Sequence, residues 1–506
     1  MSYARIYSRA SFGIEAPQVS VEVHLSNGLP ALSIVGLASA EVKESKERVR
    51  SALLNSGFEF PAKRIIINLA PADLPKSGGR FDLAIAMGIL VASGQVPEAS
   101  INQKEFVSEL SLSGDLKPVN GILAAALACV EKQRCLVIAQ PNIEEATLSG
   151  NKQTLSSECL KHLVRDFLAD DIEFCSNPLI AEEQEPAVCL SEIKGNEHAK
   201  RALVLAAIAG HNLLMVGSPG SGKTMMARSL IGLYPALPMS EARQVASLES
   251  ISNQGFDSKG WNQVRLRSPH HSASRVAITG GGKVPTPGEI SLAHLGLLFL
   301  DELPEFDRSV LESLRQPLEE GYLSISRANW KVRFPANFQL VAAMNPCPCG
   351  YFSSEQSDCY CPTPRVQQYL QKISGPLLDR IDIQVMVNNP EMTILDADKN
   401  EQWRTSVLKE KVCQLREQQL QRQGCLNSDL IAQEIINIKP LSTEVSNIFE
   451  KVVNKYQLSM RAQQKLLRLA LTISDWENKN EMDQSAFAEA LSYRAFDQLH
   501  RKLRYQ

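Results

Sequence analysis

Asn212-Leu-Leu-Met-Val216, Gly217-Ser-Pro-Gly-Ser-Gly-Lys-Thr224 and Met225-Met-Ala-Arg-Ser-Leu230 follow one another without a break. They read as a buried strand, a glycine-rich loop and the first turns of a helix. Gly217, Gly220 and Gly222 let the backbone wrap closely round an anion, with N–H groups and the helix N-terminus pointing at it. Ser218, Pro219 and Ser221 complete the loop. Lys223 is expected to reach the β- and γ-phosphates of ATP, and Thr224 to hold Mg²⁺. A chance glycine-rich loop is the competing explanation, and the correctly placed strand and helix count against it.

About 75 residues further on, Leu297-Leu-Phe-Leu-Asp-Glu302 reads as a second buried strand ending in two carboxylates. Asp301 is expected to bind Mg²⁺ and Glu302 to polarise the attacking water. An apolar run before Asp-Glu is weak by itself; beside a phosphate loop it is strong. A third strand, Phe338-Gln-Leu-Val-Ala-Ala-Met344, ends at Asn345, whose amide suits orienting that water, although a turn residue before Pro346 is the plainer role. Arg380, in Ser374-Gly-Pro-Leu-Leu-Asp-Arg-Ile-Asp382, and Arg461, in Leu458-Ser-Met-Arg461, are candidate cations for the charge that develops on the transferred phosphoryl group. Each in isolation would be an ordinary surface arginine.

Outward from this core the 506-residue chain divides by pattern. Residues 1–177 mix strand-like runs (19–25, 65–69) with helical periodicity at 42–56, 81–92 and 121–132, predicting an α+β domain. Residues 178–189, acidic and proline-bearing, read as a linker. Residues 190–395 alternate strands and helices, which predicts a doubly wound parallel sheet, and 396–506 are mostly helical. No run approaches the ~18 apolar residues of a membrane span, and the N-terminus lacks a secretory apolar segment, so the expected location is cytoplasmic. The net charge of −3 gives no global basic footprint, which leaves a basic channel inside a ring open.

Seven of the eleven cysteines are scattered; four cluster as Cys347-Pro-Cys349 and Cys359-Tyr-Cys361 directly after Asn345. Four thiolates in one polar loop can close a tetrahedral structural zinc site, and four free thiols are the alternative.

With these motifs in order, the chain resembles the magnesium-chelatase-like AAA+ ATPases of the ComM/YifB branch over nearly its whole length. Lys194-Gly-Asn-Glu-His-Ala-Lys-Arg201, Pro269-His-His271, Gly280-Gly-Gly282, Pro287-Gly-Glu-Ile-Ser-Leu-Ala-His294, Asp301-Glu-Leu-Pro-Glu-Phe306 and Asn345-Pro-Cys-Pro-Cys-Gly350 carry the likeness. The resemblance implies an AAA+ core with a C-terminal helical lid, Asn345 as sensor 1, Arg380 as an arginine finger acting in trans, and Arg461 as sensor 2. It also implies a homo-hexameric ring that promotes branch migration at junctions of single- and double-stranded DNA during natural transformation, alongside recombination proteins.

Ser108-Glu-Leu-Ser-Leu-Ser-Gly-Asp-Leu-Lys-Pro-Val-Asn-Gly121 and Pro71-Ala-Asp-Leu-Pro-Lys-Ser-Gly-Gly79 make the first domain similar to the ribosomal-protein-fold domain of Lon protease. Its catalytic pair is missing. Gly78-Gly-Arg-Phe-Asp82 and Ile122-Leu-Ala-Ala-Ala126 stand where the serine and lysine belong, and Ser77 and Lys117 lack the right setting. Proteolytic inactivity is the expectation.

Two segments are candidates for holding substrate. Residues 250–285 carry Arg265, Arg267, His270, His271, Arg275 and Lys283. Leu323-Ser-Ile-Ser-Arg-Ala-Asn-Trp-Lys-Val-Arg-Phe334 reads as a hairpin whose Arg327, Lys331 and Arg333 could track phosphates while Trp330 stacks on a base. A solvated hairpin with ordinary charges is the alternative. A protein-remodelling or metal-chelatase-type motor is the competing function, disfavoured by the Lon-like first domain.

Overall fold

The computed structural model describes residues 2–36, 39–175, 188–282, 284–327, 330–352, 358–389, 401–496 and 499. Lys283, most of the expected linker and the side chains of Arg327 and Trp330 lie outside the described residues.

The first part of the chain builds a mixed sheet from β1 (Tyr3–Arg9), β2 (Gln18–Ser26), β3 (Ala31–Val35), β4 (Arg64–Ala70) and β5 (Lys104–Val107). After a small hairpin, β6 (Glu109–Leu110) and β7 (Leu116–Lys117), come β8 (Cys135–Ala139) and β9 (Thr154–Ser157). The sheet order is β3-β4-β2-β1-β5-β8-β9. In β2 alternation decides the inner face: Val19, Val21, Val23 and Leu25 are buried. The helix Asp82–Ala92 is apolar on every side except its first residue, and all its residues are buried, as an all-round apolar helix must be. Arg48 Nε holds its one carboxylate, Asp82, at 2.8 Å.

The second sheet comprises β10 (Leu213–Gly217), β11 (Leu266–Arg267), β12 (Leu297–Leu300), β15 (Gln339–Met344) and β16 (Ile383–Val387). Its order is β11-β12-β15-β10-β16, with every pairing parallel. Leu213 of β10 faces Val341 of β15 on one side and Ile383 of β16 on the other. The central strands are buried on both faces, which is why they read as unbroken apolar runs. Between β12 and β15 the chain leaves the sheet to form an antiparallel hairpin of β13 (Tyr322–Arg327) and β14 (Trp330–Pro335).

Helices follow. Thr405–Gln423 and Met460–Trp476 pack with Glu197–Ala209 and the β10/β16 side of the sheet in one apolar cluster. Met460–Trp476 starts on Ser459, whose hydroxyl accepts the Ala462 N–H. At the far end of this helix a buried carboxylate, Asp475, is gripped by Arg422 Nη1 and Nη2 at 2.9 and 3.0 Å, Lys439 Nζ at 2.8 Å and Asn427 Nδ2 at 2.8 Å.

The two sheets are joined through the helix Met239–Ser250 and its continuation. Gly121 N–H donates to the Ser250 carbonyl (3.0 Å) and Arg243 Nε to the Leu148 carbonyl (2.7 Å). The buried Glu145 carboxylate accepts both the Leu123 N–H (2.7 Å) and the Ser250 hydroxyl.

Candidate nucleotide site

Three adjacent parallel strands, β12, β15 and β10, end side by side, and each delivers polar groups at its C-terminal end. This is the rim at which open parallel sheets bind ligands. The phosphate loop follows β10, Asp301 and Glu302 follow β12, and Asn345 follows β15.

The loop from Gly217 to Thr224 wraps the ammonium of Lys223. Its Nζ donates to the carbonyls of Gly217 and Ser218, each at 2.8 Å, and lies 3.3 Å from Asn345 Oδ1. Burial pushes the pKa of this ammonium below its ordinary value, while Asp301 and Glu302 pull it back. Gly220 and Gly222 both take the left-handed backbone region, at φ 78° and 91°. Gly220 turns the exposed tip of the loop, and Gly222 makes the bend from which the helix Lys223–Leu230 starts. Space for a Cβ is open at both, so backbone strain alone disfavours a side chain at either position. The Lys223 ammonium is thus held by neutral carbonyls, and anionic phosphate oxygens would satisfy its N–H groups better.

Thr224 Oγ1 donates to Asp301 Oδ2 at 2.8 Å. The hydroxyl and carboxylate oxygens are therefore already neighbours, the oxygen donor set that Mg²⁺ takes from protein. When bound, the ion supplies charge neutralisation at the phosphates.

Glu302 adopts the left-handed backbone region (φ 53°), uncommon for a residue with a Cβ and a frequent mark of functional sites. Its carboxylate turns to His271, with Nδ1 to Oε2 at 3.2 Å. His271 in turn lies against His270, ring centroids 4.2 Å apart, and edge-on to Phe306. The histidine pair is visible in the sequence, but its partner lies far along the chain, and no spacing rule joins them.

Arg380 and Arg461 converge on one residue that the sequence did not single out. Both guanidinium groups contact Glu319 Oε1, Arg461 at 3.3 Å. Among the described residues, neither makes a hydrogen bond or ion pair to the phosphate loop, Asp301, Glu302 or Asn345. Glu319 stands in an ordinary helical run, Arg315–Glu320, and gives no signal of this role.

Of the residues expected to hold substrate, Lys331 and Arg333 are exposed on β14, and Arg333 lies 4.9 Å above the Tyr322 ring. The opposite face of the hairpin is apolar: Ile325, Val332 and Phe334 pack with Leu248, Ile251, Leu292 and Phe12. Arg265 and Arg267 point elsewhere. Each reaches the buried Glu249 carboxylate at 3.3 Å, which burial pushes up in pKa against the pull of both arginines. In the first domain Ser77 and Lys117 make no hydrogen bond to each other among the described residues; the Lys117 ammonium is exposed and lies 3.7 Å from Asp115. The Sγ atoms of Cys347, Cys349, Cys359 and Cys361 come together within 4.8 Å of one another.

The parallel five-stranded sheet with its phosphate loop, acidic pair and polar strand end defines a P-loop nucleotide-binding protein of the AAA+ class. Comparison with known proteins narrows the class. Family models match in three consecutive blocks: "Subunit ChlI of Mg-chelatase" over 21–142, "Magnesium chelatase, subunit ChlI" over 189–395, and "Magnesium chelatase, subunit ChlI C-terminal" over 402–494. The chain is 45% identical over 508 residues to Competence protein ComM of Haemophilus influenzae, covering 99% of each chain. It is 42% identical over 502 residues to YifB of Salmonella typhimurium, covering 99% of this chain and 98% of the relative. Likeness to the magnesium-chelatase 38 kDa subunit of Rhodobacter capsulatus is 29% over 179 residues, covering 32% of this chain and 51% of that subunit. The chain belongs to the ComM/YifB family of magnesium-chelatase-like AAA+ ATPases, a family that implies ATP and Mg²⁺. No helix among the described residues is long and apolar enough to cross a membrane.

Proposed function

We propose that this protein is an ATP-driven DNA motor that acts as a homo-hexameric ring in the cytoplasm and promotes branch migration at recombination junctions during natural transformation. The observation that carries most weight is the full-length likeness to a protein named for competence, joined to a nucleotide site whose phosphate loop, carboxylates and strand-end amide stand together. In the reaction, Lys223 would bind the β- and γ-phosphates, Thr224 and Asp301 would hold Mg²⁺, Glu302 would polarise the attacking water and Asn345 would orient it.

Arg380 and Arg461 support the ring. Both contact Glu319 rather than their own chain's phosphate loop among the described residues, which supports reading Arg380 as a finger on a neighbouring subunit's nucleotide and Arg461 as sensor 2. The exposed Lys331 and Arg333 on a hairpin braced from below suit a strand-tracking element, with Arg327, Trp330 and Lys283 as further candidate contacts. The first domain is read as a Lon-like fold without proteolytic function, and as a guide for DNA or for ring assembly. The chelatase likeness keeps a protein-remodelling or metal-chelatase motor as the second reading.

The test follows a labelled four-strand DNA junction with purified protein, ATP and Mg²⁺, beside a Glu302→Gln control. Strand resolution by the native protein alone is expected. Absence of resolution, together with ATP turnover indifferent to DNA, would overturn the DNA reading and favour a protein substrate.

A further inference from the structure

We propose that Cys347, Cys349, Cys359 and Cys361 bind one zinc ion, and that the loop closed by this ion braces the phosphate loop through the contact of Gly350 with Pro219. The sulfur positions carry the first half. Cys347 Sγ lies 3.3 Å from Cys349 Sγ and 3.7 Å from Cys359 Sγ, and Cys349 and Cys359 are 3.6 Å apart. A tetrahedron with Zn–S bonds of about 2.3 Å has edges of about 3.8 Å. All four sulfurs fall within 4.8 Å of one another, which fits a single ion and is too tight to enclose a two-iron cluster. Soft thiolates select zinc over the hard Mg²⁺ of the nucleotide site.

The surroundings are those of a structural site. Cys347 is buried and the other three are partly buried. The Phe352 N–H donates to Cys347 Sγ at 3.3 Å, the kind of outer hydrogen bond that fixes a metal ligand. Four protein ligands leave no open position, so the ion would organise the loop and perform no chemistry.

The second half rests on the nucleotide site proposed above. Gly350 sits at φ 88°, and a Cβ placed on it would overlap Pro219 Cδ and lie 2.7 Å from Pro219 Cγ. The cysteine loop backbone therefore lies directly on the phosphate-loop proline, where only glycine fits. The same start of the loop comes two residues after Asn345, whose side chain lies 3.3 Å from Lys223 Nζ. Metal closure thus fixes the loop against the nucleotide site at two points, one on the phosphate loop and one beside the sensor. Apolar packing around Cys347 and Phe352 orders the start of the loop, and the ion adds four metal–thiolate bonds that tie its two cysteine pairs together.

The experiment measures metal content and nucleotide binding separately on the full chain. Elemental analysis of purified protein should find one zinc per chain, and an organomercurial titration read by a zinc indicator should release it. Replacing zinc by cobalt should give the visible absorption of a tetrahedral thiolate complex. Cys361→Ser should lower zinc content, whereas the scattered Cys413→Ser should not. Metal-depleted protein should bind a fluorescent ATP analogue roughly tenfold more weakly, with binding restored by added zinc. Iron in place of zinc, or content far below one per chain in the native protein, would overturn the metal site. Full zinc content with unchanged nucleotide affinity after its removal would overturn the brace while leaving the metal site standing. If even zinc-loaded protein fails to bind the nucleotide, it is the nucleotide reading that fails. Should Cys361→Ser not fold, mercurial release from the native chain still decides the metal site.

Discussion

Lys223→Ala separates the two things this side chain does. In the structure its buried ammonium is satisfied by two neutral carbonyls at 2.8 Å, those of Gly217 and Ser218, and burial already weakens its hold on the proton. Removing it takes away a costly buried charge together with two modest bonds, so the stability of the nucleotide-free protein should shift by no more than ~1 kcal/mol. Nucleotide binding should suffer much more. A charge-assisted contact is worth about 1.5–3 kcal/mol, and losing one or two of them to phosphate gives ~3 kcal/mol, roughly a hundredfold in Kd. Ligand at about a hundred times the native Kd stabilises the native protein by ~2.7 kcal/mol; with Kd raised a hundredfold, the same concentration gives only ~0.4 kcal/mol. The assay is thermal unfolding of both proteins with and without a slowly hydrolysed ATP analogue and Mg²⁺. The reasoning is refuted if the variant keeps the native ligand-induced shift, or if its nucleotide-free form melts far below the native one.

His271 Nδ1 contacts the Glu302 carboxylate at 3.2 Å; if that contact restrains Glu302, His271→Ala should raise DNA-independent ATP turnover roughly three- to tenfold, the release of ~1 kcal/mol of contact, whereas Glu302→Gln should abolish turnover and keep nucleotide binding; a loss of turnover in His271→Ala as well would place His271 in catalysis itself. Lys331→Ala should weaken binding to single-stranded DNA similarly for all sequences and reduce the salt dependence by about 0.7 in slope, measured by anisotropy titrations at several salt concentrations; an unchanged slope would remove Lys331 from the DNA path. Asp475→Ala strips the carboxylate from Arg422 and Lys439 and should destabilise the C-terminal helices by about 3–5 kcal/mol, read by thermal unfolding. Burial works to raise the pKa of Asp475, but hydrogen bonds from Arg422, Lys439 and Asn427 outweigh it and leave it lowered. Its contribution is therefore present above the unfolded carboxylate pKa and fades as pH falls through the lower folded value. A native protein whose stability is flat through that acid range, or an Asp475→Ala variant that melts like the native one, would contradict this account.

The nucleotide site was legible in the chain because its parts are local. A phosphate loop needs glycine, lysine and threonine at fixed spacing between a strand and a helix, and Leu297–Glu302 and Phe338–Asn345 each carry their polar ends on the same strand that buries the apolar run. Strand and helix patterns likewise announced a helix at 81–92, the β13–β14 hairpin and the C-terminal helices, though not that every residue of Asp82–Ala92 is buried. What tertiary structure alone decided are meetings between segments far apart in sequence. Glu319 draws Arg380 and Arg461 together, His271 turns Glu302, Glu249 takes up Arg265 and Arg267, and Gly350 rests on Pro219. No period or spacing encodes such pairs, because each depends on how separately folded elements pack. Local sequence sets which groups exist and on which element they stand, and packing sets which of them touch.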